Sequence, residues 1–169
     1  GFIAQNRGSA ALDHAKILDK TRNLMTSPQM EAFKVTKEPK EVQDRYGTDG
    51  FGRGCLMARR LVEAGVPFVE VDLGGWDNHA NIHNILSQGP QAKLPILDKA
   101  MSALVEDLDQ RGLLQDTAIM WMGEFSRTPR MNNGGNGGPP LSMGTPGRDH
   151  WGNSMFCLLG GGGVQGGRI

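Results

Sequence analysis

No run in these 169 residues approaches the roughly 18 consecutive apolar residues that a membrane-spanning helix needs, so the chain as given reads as soluble. The opening residues, GFIAQNRGSA, carry neither a basic start nor an apolar signal core. Net charge is missing too. Lys plus Arg and Asp plus Glu number 18 each, so no bulk field favours nucleic acid or an anionic membrane surface. Cysteine is scarce: Cys55 and Cys157 stand alone, without CxxC spacing, and both read as buried free thiols. The terminal GGGGVQGG lacks the Lys-Ser/Thr of a phosphate loop, and no GxGxxG follows a strand, which argues against a nucleotide site. No GxSxG elbow surrounds Ser126, which argues against a serine nucleophile there. The chain also has no initiator Met and stops at GGGGVQGGRI, a turn suited to lead into another strand. It therefore reads as an internal piece of a longer protein.

What is present is ordinary globular composition, 38% hydrophobic and 21% charged, enough for one domain or part of one. Ala11, Ala15, Leu18 and Met25 fall on one stripe of a packing helix capped by Ser9. A short helix is expected from Glu38 to Tyr46, ended by Gly47. Phe51, Cys55, Ala58 and Val62 mark a further helix, capped by Asp49 and closed by Gly65. The clearest helix carries Leu94, Leu97, Met101, Leu104 and Leu108, with Pro95 in its first turn and Gly112 at its end. Between these lie VPFVEVDL and TAIMWM, read as strands, and the second, apolar on both faces, reads as buried in a parallel sheet. Strand, helix and strand predict a right-handed βαβ unit. A third strand, SMFCLLG, follows a long loop over 123–153 whose middle, NNGGNGGPPLSMGTPG, reads as flexible low-complexity chain.

Polar residues gather where those strands end. In GGWDNHANIHN, Asp77, His79 and His83 offer one carboxylate and two imidazoles, a mixed set that Zn²⁺ or Mn²⁺ accepts. The same string also fits a loop held by capping and hydrogen bonds, with His83 at the surface. In GEFSRTP, Glu124 is either a metal ligand or the partner of Arg127, whose planar fork suits a bidentate oxyanion. In GRDHW, Asp149 either orients an imidazole or caps a turn, and His150 either faces a metal or packs on Trp151.

Taken together, EAG-VPFVEVDLGGWDNH, DLDQRGLLQDTAIMWMGEFSRTPRMN and GRDHWGNSMFCLLGGGGVQGG, with KEPKEVQDRYGTDGFGRGCLMARRL upstream, resemble the bacterial family called domain of unknown function 1501 from about Arg7 onward. That family is placed with alkaline phosphatases, sulfatases and cofactor-independent phosphoglycerate mutases. The resemblance implies an α/β fold with a mostly parallel sheet between helices. Residues 1–169 form part of one such domain, with peripheral helices over 1–47 and a βαβ core over 48–169. It implies a metal-dependent hydrolase acting on a small anionic ester, sulfated or phosphorylated, with zinc, calcium or manganese as cofactor, and export from the cytoplasm. Carried over residue by residue, Asp77, His79 and His150 take ligand roles, as does Glu124. Arg127 steadies the anion and Asp149 supports a histidine. The middle ligand pair departs from the relatives, because Phe125 stands where they carry a histidine, and no residue matches their nucleophile. That departure favours a second reading, a non-catalytic exported binding or structural protein, and a third reading is a metal-free anion-binding module using Arg127 and Arg130.

Overall fold

A computed structural model of the protein describes residues 9–132 and 146–167. Four α-helices appear among them: α1 Ser9–Met25, α2 Lys40–Tyr46, α3 Gly50–Glu63 and α4 Lys93–Gln110. Their limits follow local signals. The Asp49 side chain accepts a hydrogen bond from Gly52 N at 2.9 Å, satisfying one of the free donors at the start of α3. At its end Gly65 N donates to Val62 O and Val66 N to Leu61 O, with Gly65 at φ 84°, a left-handed turn that glycine adopts without a Cβ penalty. The same pair of bonds closes α4 around Gly112, at φ 69°. Gly47, at φ 98°, ends α2.

The core lies where α3 crosses α4, with Tyr46 from α2: Cys55, Leu56, Ala100, Ala103, Leu104 and Leu108 are buried there. Leu97, Leu104 and Leu108 share the inner face of α4, each burial contributing roughly 1.5–3 kcal/mol. Leu94 of the same stripe stays 43% exposed. The core also contains a fully buried cation. Arg59 sits 2.9 Å from Asp107 and 3.0 Å from Glu38, and its Nη1 donates to Glu63 at 2.7 Å. Tyr46 Oη donates to Asp107 at 3.0 Å. Burial pushes the Asp107 carboxyl up, but Arg111, Tyr46 and Arg59 outweigh it and hold it below the usual carboxylate range.

Helix α1 forms where expected, but Leu18 and Met25 of its stripe remain exposed, its main described neighbour being the short helical turn Pro28–Phe33. It is therefore not the packing helix the spacing suggests. The cap assigned to Ser9 lies outside the described side chains.

The sheet differs most from expectation. β1 (Ala118–Met122) pairs antiparallel with β4 (Cys157–Gly161), Met120 opposite Leu159 and Met122 opposite Cys157. No parallel ladder forms among the described residues. VPFVEVDL is not a strand. It keeps a two-residue alternation of burial from Val69 to Leu73, but no neighbouring strand takes up its backbone hydrogen bonds. No βαβ unit forms among the described residues. Met120 and Met122 are exposed rather than sandwiched, and so is Cys157, which corrects its reading as a core thiol. No described helix is long and apolar enough to cross a membrane.

The 123–153 connection has structure at both ends. β2 (Ser126–Arg127) pairs antiparallel with β3 (His150–Trp151), Arg127 directly opposite His150. A single bridge joins Asn132 to Gly147. The flexibility expected of its middle falls mostly on 133–145, outside the described residues, as do the last two residues of GGGGVQGGRI.

Candidate metal centre

Two loops meet to build the site. Arg148 N donates to Asn78 O at 3.1 Å and Ile82 N to Pro146 O at 2.9 Å, so the PGRDH segment is sewn onto WDNHANI. Gly147 permits the approach: a Cβ there would lie 2.0 Å from the carbonyl carbon of His79. Opposition of Arg127 and His150 across the β2–β3 ribbon then brings a third loop to the same point.

Asp77, His79 and His150 converge, each offering one ligand atom within 4.8 Å of the others. Asp77 Oδ1 stands 2.8 Å from His150 Nε2 and 3.1 Å from His79 Nε2. The two imidazole nitrogens are 3.1 Å apart. Three ligands of a tetrahedral zinc, bonded at about 2.0–2.1 Å, stand roughly 3.3–3.4 Å from one another. Two edges of the triangle fall about 0.2–0.3 Å short of that spacing and the Asp77–His150 edge about 0.5–0.6 Å short.

His79 Nδ1 lies 3.2 Å from Asp149 Oδ1, where an Nδ1–H would donate to the carboxylate and leave Nε2 facing Asp77 and His150. Asp149 is itself held. Asn132 Nδ2 donates to the same oxygen at 2.7 Å, Asp149 N donates to Thr128 Oγ1 at 3.2 Å, and Thr128 N returns a bond to Asp149 O at 2.9 Å. Asp77 is a carboxylate at any ordinary pH. Its hydrogen bonds from His150 and then Arg127 hold its pKa down to about 2 although its side chain is 60% exposed. Arg127 Nη2 donates to Asp77 Oδ1 at 2.5 Å, and Nη1 reaches His79 Nε2 at 3.5 Å.

Of the residues singled out in the sequence, Asp77, His79 and His150 come together, with Asp149 behind His79 and Arg127 beside Asp77. Glu124 lies exposed in the turn after β1, outside the triad, and Arg127 pairs with Asp77 instead of with it. His83 is exposed and also outside. The ring neighbours of His150 are His79 and Phe125, each with centroids 4.7 Å away. Phe125 therefore packs against the site. Sequence reasoning missed Asn132, which belongs to no motif and is held beside Asp149 by its bridge to Gly147, its N donating to Gly147 O at 2.9 Å and its Oδ1 accepting from Gly147 N at 3.1 Å.

Fold and site define a mixed helix and antiparallel-sheet protein with a candidate three-residue metal centre. The chain belongs to the family described as "Protein of unknown function (DUF1501)", whose family model matches residues 2–169. No curated protein and no solved structure matches it.

Proposed function

We propose that the triad of Asp77, His79 and His150 holds a divalent cation, and that the protein is a metal-dependent hydrolase of a small anionic ester, sulfatase-like or phosphatase-like in kind. The observation that carries this is a count of protons. Three contacts join Asp77 Oδ1, His79 Nε2 and His150 Nε2 at 2.8, 3.1 and 3.1 Å, and each needs a proton between its atoms to be favourable. The Asp77 carboxylate has none to give. If both imidazole nitrogens carry one, two N–H groups face each other. If only one does, the other nitrogen meets the carboxylate lone pair to lone pair, a contact that the Arg127 guanidinium eases from the edge, with Nη2 on Asp77 and Nη1 3.5 Å from His79. A cation against all three atoms satisfies every contact, and two imidazoles with one carboxylate suit zinc, among other divalent metals.

Such an ion supplies positive charge to polarise an ester oxygen and lowers the pKa of a bound water or hydroxyl. The chain's own residues do the rest. Asp149, 3.2 Å from His79 Nδ1, would hold the Nδ1–H tautomer that leaves Nε2 for the ion. Arg127 presents a guanidinium at the edge of the triangle, where its fork suits a phosphate or sulfate group. Phe125 covers one side of the His150 ring. Likeness to the alkaline-phosphatase and sulfatase relatives, and export with it, belongs to the same proposal and rests on the sequence resemblance alone.

A second reading, a non-catalytic binding protein that keeps the scaffold, is favoured by one observation. Glu124 stands outside the triad, beside a phenylalanine where the relatives have a histidine. Metal analysis with an ester-hydrolysis panel, before and after chelation, separates the two. Bound metal with chelator-sensitive turnover, lost in D77A, supports the hydrolase. Bound metal without turnover supports the second reading, and neither metal nor turnover ends both.

A further inference from the structure

We infer that Arg127 is a built-in competitor for the cation, and that a tetrahedral oxyanion, phosphate or sulfate, draws it away so that cation and anion bind together. This rests on the reading of the triad as a cation site. One His150 N–H can serve both of its own contacts, to Asp77 Oδ1 and to His79 Nε2. The contact it cannot serve is the one between His79 Nε2 and Asp77 Oδ1, 3.1 Å apart, where two lone pairs meet. The Arg127 guanidinium bridges those two atoms, Nη2 on Asp77 at 2.5 Å and Nη1 towards His79 at 3.5 Å. The chain thus supplies one positive charge to the place where a divalent ion would supply two.

Both cations face the same oxygen and the same nitrogen. With its side chain only 18% exposed, Arg127 is poorly screened, so an arriving divalent ion meets like charge at close range. Among the described residues Asp77 is its one ion-pair partner, and moving away leaves the guanidinium without a counter-charge. An oxyanion supplies that counter-charge and two acceptors matched to the fork, while its remaining oxygens face the cation. Each ligand then strengthens the other, and by linkage the factor is the same in both directions.

The test is zinc affinity of the purified chain, measured by competition with a chromophoric chelator in buffer free of phosphate and sulfate, then with either anion added. Wild type, R127A and D77A are compared, with circular dichroism to confirm folding. R127A is expected to bind zinc about tenfold more tightly than wild type without anion, within the range of ordinary coupling. Phosphate or sulfate is expected to tighten wild type by a similar factor and to leave R127A nearly unchanged. The sulfate arm separates binding at the site from association of phosphate with zinc in solution. Equal or weaker zinc binding by R127A without anion, or wild type indifferent to both anions, overturns the competitor role while the cation site stands. Zinc binding by neither wild type nor R127A, or by D77A as well as by wild type, overturns the cation site and this inference with it.

Discussion

Replacing Gly147 with alanine should dismantle the candidate metal centre without touching Asp77, His79 or His150. The new Cβ would lie 2.0 Å from His79 C, 2.1 Å from His79 O and 2.3 Å from Ala80 N, whereas ordinary contact begins at 3.4 Å. All three are backbone atoms, so no side-chain rotation relieves them. The two loops must part by about 1.1–1.4 Å. That distance strains or breaks the bonds from Arg148 N to Asn78 O and from Ile82 N to Pro146 O. Overpacking costs roughly 1–3 kcal/mol and each lost hydrogen bond about 1, so the loss of stability should be about 2–4 kcal/mol. For a chain of this size the melting temperature should drop by roughly 5–15 °C. The functional loss should be larger. Metal–ligand distances tolerate about ±0.2 Å, and His150 would be carried off with the displaced strand while Asp77 and His79 stay behind. Zinc titration should show affinity reduced at least about a hundredfold, since one ligand of three is withdrawn and Asp149 leaves His79 with it. Gly152→Ala is the matched control, because nothing lies within 4 Å of a Cβ there. If G147A melts and binds zinc like G152A, the close approach of the two loops is wrong, and the centre with it.

Asn132→Ala should weaken zinc binding roughly tenfold, at the lower end of what supporting residues contribute, because Asp149 loses the 2.7 Å bond that aims it at His79; unchanged affinity in a folded N132A protein would remove Asn132 from the site. Arg59→Met should cost about 1.5–3 kcal/mol at pH 7, because Asp107 and Glu38 each lose a charged partner inside the core while Arg111 and Arg60 still pair with them. Both carboxyls are held below their ordinary values in the folded protein, so the stability they contribute is full above about pH 4 and is lost as pH falls through the lower folded pKa values. Urea unfolding at a series of pH values should therefore show the gap between wild type and R59M closing in acid, and a constant gap would refute the ion pairing. Burial, and secondarily Asp49, push the Cys55 thiol up to about 12, whereas Cys157 is exposed. A disulfide reagent at pH 8 should accordingly modify one thiol in the native chain and two in urea, and two native equivalents would show that Cys55 is not enclosed.

The helices were legible because their signals are local. Asp49, Gly65 and Gly112 cap or close helices within a turn of their own positions, and the three- and four-residue spacing of Leu97, Leu104 and Leu108 depends on nothing distant. The strands were not, because a strand exists only when another supplies its hydrogen bonds. VPFVEVDL has the composition and even the alternating burial of a strand, yet no described neighbour pairs with it. TAIMWM carries apolar residues on both faces and was taken as sandwiched in a parallel sheet, while its partner, SMFCLLG, runs antiparallel and leaves Met120, Met122 and Cys157 uncovered. Neither direction nor coverage is written in a segment's own residues.

The site divides along the same line. Asp77, His79 and His150 could be nominated because each is a potential ligand in a loop beside an apolar run, and Asp149 because a carboxylate next to a histidine often orients one. What the sequence did not contain was pairing information: His150 lies 71 residues from His79, and Asp149 serves His79 across the loops rather than its own neighbour. Adjacent side chains diverge, so the Asp149-His150 dipeptide sends one residue to each side of the His79 ring. Glu124 illustrates the opposite failure. It is the first ionisable residue after β1, but the two-residue ladder that sets Arg127 opposite His150 leaves Glu124 in the exposed turn before it. A register of two residues thus decides which charge meets Asp77, and here it is the Arg127 guanidinium.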